Sequence, residues 1–200
     1  SNGDWCPNCR SNNHENTNLN LIAICDYQVQ RLYKAKSIYI EQTTYETDYK
    51  KLLDNPEIQA IAIAAETSAH FQLVKESLLA GKHVYVEKPC CHNPAEGELL
   101  VAVQKKYDRV IQMGNQQRSG VASKQAISEI HNGLIGDAYY GKAWYASNRG
   151  SIGIGKEAPV PEWLDWELWQ GPAPRSEFRD NIVHYNWHWF WNWGTGEINN

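Results

Sequence analysis

Several things are scarce in this sequence, and each scarcity excludes something. No apolar run approaches the ~20 residues that cross a bilayer, so no membrane-spanning helix is expected. Basic residues are not in excess: 19 Lys and Arg face 23 Asp and Glu, a formal net charge of -4, which offers no footprint to a nucleic acid backbone. Cysteines number five, an odd count at irregular positions, with Cys25 inside an expected strand and Cys90 beside Cys91, so a disulfide framework is a poor description. Cys6 and Cys9 form one CxxC pair with only His14 nearby; a structural zinc needs two further ligands at motif spacing, and no metal site is assigned. What is abundant is aromatic. The chain has nine Trp and 11 Tyr, and most of the Trp follow residue 160. With 42% hydrophobic and 21% charged residues the chain is otherwise an ordinary globular one, so that concentration calls for a local use.

Also missing is a phosphate-binding turn. Leu19 to Cys25 reads as a buried parallel strand ending at Asp26, an acid placed as in dinucleotide folds, where it binds the adenosine ribose hydroxyls. Tyr27 follows, with no Arg, Lys or Ser beside it to accept a 2'-phosphate, which favours NAD over NADP. The plain alternative is a solvated strand-end aspartate. A G-x-G-x-x-G turn about 20 residues upstream would fall near Asn2 to Cys6, where only Gly3 is present. Gly150, Gly153 and Gly155 are a decoy, because Pro159 and Pro161 stand where a helix should begin. The expectation is a chain truncated upstream; the other reading is a fold that has lost its pyrophosphate loop.

Strand and helix signals then alternate, which predicts a parallel sheet. A helix runs to about Lys36, and Asp48 caps a short one over 49–54 that Asn55-Pro56 closes. Ile58 to Ala64 is a strand. Ser68 caps a helix that His70 opens, and Gly81 suits its left-handed end. His83 to Val86 is the next strand, delivering Glu87, Lys88 and Pro89. Pro89 restricts Lys88 to extended conformations and makes a cis bond affordable, so this lysine can be aimed; the bland alternative is an exposed strand end with a turn proline. Asn93 and Pro94 start a helix to about Tyr107, Arg109 to Met113 is a strand, and Val121 to His131 is a helix ending at Asn132-Gly133. Asp137 to Ser147 alternates like a strand of a second, antiparallel sheet.

The run Ile58 to Ala65, His70, Gly81-Lys82-His83-Val84 and Glu87-Lys88-Pro89, extended by Asp48 to Asp54 and by Met113 to Arg118, resembles the Gfo/Idh/MocA family of NAD(P)-dependent sugar and polyol oxidoreductases. Pro161 to Pro172 and His184 to Glu197 are similar to its Trp-rich branch. The resemblance implies an α/β chain: a Rossmann-type parallel sheet domain over 1–118, then part of an α+β domain with an open, mainly antiparallel sheet over 119–200. It implies Lys88 as catalytic residue and Asp26, Ala64, His70, Glu87, Lys88, Asn115 and Gln117 as cofactor-binding. Lys88, Arg118, His184, Tyr185, Trp187 and His188 are the substrate candidates, since aromatic faces stack on sugar C-H faces and His and Tyr bond hydroxyls. The same Trp-rich run equally suits an aromatic core, one alternating face inward and one outward.

The expected activity is hydride transfer between NAD and a hydroxyl of a small-molecule carbohydrate, by a homo-oligomer when full length. The alternatives are a non-catalytic sugar-binding or scaffold protein, or a glycosidase that uses transient oxidation. Ala65-Glu66 replaces the Thr-Pro usual in the family and removes a hydroxyl from the cofactor side. Asn200 falls on the position of a family acid that precedes a histidine by four residues, so truncation downstream is expected too. For the 200 residues alone the expectation is poor or absent activity.

Overall fold

The structure, a computed structural model, describes residues 19–38, 43–146 and 150–196. Gly3, the Cys6–Cys9 pair, His14 and Asn200 lie outside the described residues. The first half alternates as expected: β1 (Ala23–Cys25), α1 (Val29–Lys36), β2 (Thr44–Glu46), α2 (Lys50–Asp54), β3 (Ala60–Ile63), α3 (Thr67–Leu79), β4 (His83–Glu87), α4 (Pro94–Tyr107) and β5 (Ile111–Gly114). A 3-10 turn (Gln116–Ser119) and α5 (Val121–His131) follow. Among the described residues of this half every ladder is parallel, in two sheets, β1-β2 and β3-β4-β5, which makes the half an α/β, Rossmann-type unit.

The strands are short, and the core beneath them is local. Val84 and Val86 on one face of β4 and Ile63 of β3 meet Val74 and Leu78 of α3 and Leu100 of α4. Burying each such side chain stabilises the fold by about 1.5–3 kcal/mol. The helix ends follow the local code. Asn93 accepts the Glu96 N–H at 3.0 Å with Pro94 at N1, and Gly81 takes φ +78° where α3 must stop. Lys82, buried, donates from Nζ to the Asn55 carbonyl at 2.6 Å and so ties the end of α2 to the start of β4.

Several local expectations change. The strand over 19–25 shrinks to three residues with only Ile24 buried, because among the described residues β1 pairs with β2 alone. Ser68 sits inside α3 rather than capping it; Glu66 is at the cap without a side-chain bond, and the Ser68 N–H donates to the Trp193 carbonyl at 3.2 Å. Ser147 lies outside the described residues, and residues 137–146 form no ladder and lie exposed, Tyr139 at 96%, because among the described residues no strand runs beside them to use the alternation.

The later residues are organised by their indoles. In α6 (Trp166–Trp169), Asp165 accepts the Leu168 N–H at 2.9 Å, and Trp166 stacks on Trp169 with centroids 4.9 Å apart. Trp193 closes on both, and Leu164, Phe178 and Ile182 complete this second core. Trp187 to Trp189 lie in a 3-10 turn (Asn186–Trp189) rather than on alternating faces. Tyr27 packs against the same core, joining it to the parallel sheet. Among the described residues no helix is long and apolar enough to cross a membrane.

Candidate functional site

Parallel strands end together, so β3 and β4 present their carboxyl ends side by side. From β3 come Ala64 and Ala65, whose short side chains leave space; from β4 come Glu87, Lys88 and Pro89, with the Lys88–Pro89 bond cis. With Thr67 and His70 of α3 they form the floor of a cavity of about 180 Å³. Trp187, His188, Thr195 and Gly196 form its roof. The His92 ring pins that roof down, its Nε2 lying 3.0 Å from the Gly194 carbonyl oxygen.

His70 is the floor's fixing point. It is 2% exposed, with Nδ1 2.7 Å from the Pro89 oxygen and Nε2 3.0 Å from the Ala65 oxygen. A neutral imidazole has one N–H and donates to one of the two; only the imidazolium donates to both. Burial opposes that charge and holds the His70 pKa below its ordinary value, against the pull of the two carbonyls. The residue therefore positions the Lys88–Pro89 turn from behind.

Glu87 is set by its neighbours. Its Oε2 accepts the Lys88 N–H at 3.3 Å, and Gln116 Nε2 stands 3.5 Å from Oε1. Gly114 of β5 makes the room: a Cβ there would lie 2.7 Å from Tyr85 Oη and 3.1 Å from Glu87 Oε1.

A second polar cluster forms at the carboxyl end of β1. Asp26 accepts the Gln28 N–H at 2.8 Å and faces Arg31 Nη1 at 3.7 Å. Burial pushes its carboxyl above the usual range, with Gln28 and Arg31 pulling the other way. Arg31 Nη2 donates to His184 Nδ1 at 3.1 Å, which places the ring proton of neutral His184 on Nε2. Burial first and Arg31 second keep the His184 pKa low. Glu66, half-buried above the same cluster, has its carboxyl pushed up to about 7 by burial.

The sequence candidates thus separate. Ala64, His70, Glu87, Lys88, Trp187 and His188 meet at one cavity. His184 stacks on Trp163, centroids 4.8 Å apart, beside Asp26 and away from that lining. Tyr185 is exposed and gives its carbonyl to His188 Nδ1 at 2.5 Å. Asn115, Gln117 and Arg118 lie exposed just past β5, outside the lining. Sequence reasoning passed over Thr67 and Arg31. Thr67 had a signal, a hydroxyl two residues after Ala65; Arg31 had none beyond falling on the first turns of α1.

Two places have the chemistry that the two ends of a dinucleotide require. Asp26 has the acceptor chemistry for ribose hydroxyls, and the cavity of about 180 Å³ is large enough for a ring-sized group but smaller than the ~300–1,000 Å³ of typical whole-ligand pockets. Among the described residues no glycine-rich turn joins a strand to a helix, and no group of three His, Cys, Asp or Glu could hold a metal ion.

A family model described as "Oxidoreductase family, NAD-binding Rossmann fold" matches residues 8–115. The chain is 30% identical over 164 residues to the myo-inositol 2-dehydrogenase of Thermotoga maritima, covering 82% of this chain and 44% of that protein. It is 34% identical over 119 residues to the uncharacterized oxidoreductase YrbE of Bacillus subtilis, covering 59% and 34%. The solved apo scyllo-inositol dehydrogenase of Lactobacillus casei superposes with a TM-score of 0.54 at 25% identity, over 58% of this chain and 35% of that one. The chain spans between a third and a half of the length of these relatives.

Proposed function

The chain belongs to the Gfo/Idh/MocA family of oxidoreductases with an NAD-binding Rossmann fold, and from that premise we propose that it takes part in hydride transfer between NAD and a hydroxyl of a sugar or sugar derivative. One observation carries the reading: Lys88, held by a turn that His70 braces, shares a cavity with Trp187 and His188. When bound, the nicotinamide supplies the hydride acceptor. The chain's own residues do the rest. Lys88 Nζ bonds the reacting hydroxyl and exchanges its proton, Trp187 offers an aromatic face to ring C-H groups, and His188 supplies polar contact. Glu87 sets the turn and the cofactor side rather than moving a proton.

Asp26 would accept from the adenosine ribose, and its charge disfavours a 2'-phosphate. Arg31, 3.7 Å away, offsets part of that charge, so the expected preference for NAD is modest. Relatives named for oxidising inositols support a ring polyol as substrate class. The test is binding of NADH and NADPH, read as energy transfer from the tryptophans, then a screen of inositols and sugars for NADH formation. Lys88→Met should lower kcat by about 10²–10⁴ and leave the NADH Kd unchanged. Equal losses in both would remove Lys88 from its role.

A further inference from the structure

Directly after Pro89 the chain carries two thiols in succession. Cys90 Sγ and Cys91 Sγ lie 3.8 Å apart, and both residues are free, half-buried and packed on the core beneath β4. Helix α4 leaves them room: a Cβ on Gly97 would stand 3.3 Å from Cys91 Sγ. Hydride transfer uses neither sulfur.

Coordination chemistry narrows what such a pair can hold. A disulfide needs sulfurs about 2.05 Å apart, so the pair would have to close by nearly half its separation across one peptide unit. Burial, and then Cys90, push the Cys91 thiol up to about 11, which leaves little thiolate for oxidation. Zinc takes four ligands, and among the described residues no third His, Cys, Asp or Glu joins the pair. A trivalent arsenic that already carries one organic group needs only two sulfurs and, sitting between them, leaves them farther apart than the directly bonded sulfurs of a disulfide, nearer the 3.8 Å found here. We propose that Cys90 and Cys91 form a two-thiol capture site for monosubstituted trivalent arsenicals. In the condensation two As–S bonds form and the arsenic–oxygen bonds break. The oxygen leaves as water with both thiol protons, and no oxidation state changes. Where Lys88 carries the proposed chemistry, capture beside it also slows turnover; the capture itself does not depend on that reading.

Phenylarsine oxide is the probe, and the intact mass of the protein is the readout. To remove the CxxC thiols, the starting protein carries Cys6→Ser and Cys9→Ser. It should gain one phenylarsenic per chain with loss of water, resist a monothiol, and release the adduct to 2,3-dimercaptopropanol. Cys90→Ser or Cys91→Ser should weaken retention by about 10²-fold or more, because the second bond closes intramolecularly. Cys91→Ala repeats the test without a buried hydroxyl, so a folding defect of the serine variant does not decide it. Undiminished adduct in the Cys90 and Cys91 variants, or none in the starting protein, overturns the proposal.

Discussion

Replacing His70 by Leu tests the frame that holds Lys88. The leucine fills most of the imidazole's volume, so the loss is polar: the Pro89 and Ala65 carbonyl oxygens, at 2.7 and 3.0 Å, lose the N–H that one of them accepts. Leaving a buried acceptor unsatisfied costs about 1–3 kcal/mol. With a chain of this size, 2 kcal/mol corresponds to a fall of about 4–8 °C in Tm. Urea melts followed by tryptophan fluorescence should show the same loss as a lower midpoint with unchanged slope. The pH dependence identifies the cause. Folding holds the His70 pKa below its ordinary value, so below about pH 6.5 the unfolded chain binds the extra proton and the native protein loses stability as pH falls. The leucine variant lacks that loss, so its penalty should be largest near pH 8 and shrink on acidification. A penalty under about 0.5 kcal/mol at pH 8, or one that grows in acid, would refute the account, since buried unpaired acceptors cost more than that.

Glu66 should act with the opposite sign. Its folded pKa, about 7, lies above the ordinary carboxylate range, so the stability it contributes in acid is lost as pH rises from about 4.5 through 7. Glu66→Gln should flatten that part of the stability profile and raise the Tm at pH 8; an unchanged profile would mean that the carboxyl is well solvated. At the other cluster, Arg31→Ala removes the cation 3.7 Å from Asp26, so the ratio of NADPH to NADH dissociation constants should rise several-fold. A falling ratio would show that Asp26 does not face the ribose.

The punctuation of the fold is legible because it is local. Asn93 with Pro94, Gly81, and the span of α5 each depend on residues within a turn of one another, and each lies where the sequence puts it. Strand β2 escapes notice because three residues, Thr-Tyr-Glu, show no period. The site divides the same way. Lys88 and its turn stand out in sequence, whereas the partners of His70 are carbonyl oxygens, which no side-chain pattern announces. His184 shares a segment with Trp187 and His188, yet its ring meets Arg31, 153 positions away, and no spacing rule reaches that far. Residues 137–146 show the converse: alternation describes what a strand could pair with, and here the described neighbours supply none.

The parallel strands fall into two ladders, and this bears on time as well as shape. Among the described residues β4 is bonded on both sides, while β1 and β2 share three pairs. Native-state opening proceeds in cooperative units, and a small half-exposed unit opens more often than a flanked, covered one. Asp26 follows the first ladder and Lys88 the second, so the two run on separate clocks. A molecule long enough to touch both binds only while both are shut, and its apparent affinity falls by the fraction of time they are not. Once seated, that molecule is itself the crosspiece between them, and opening either unit then costs its contacts there as well.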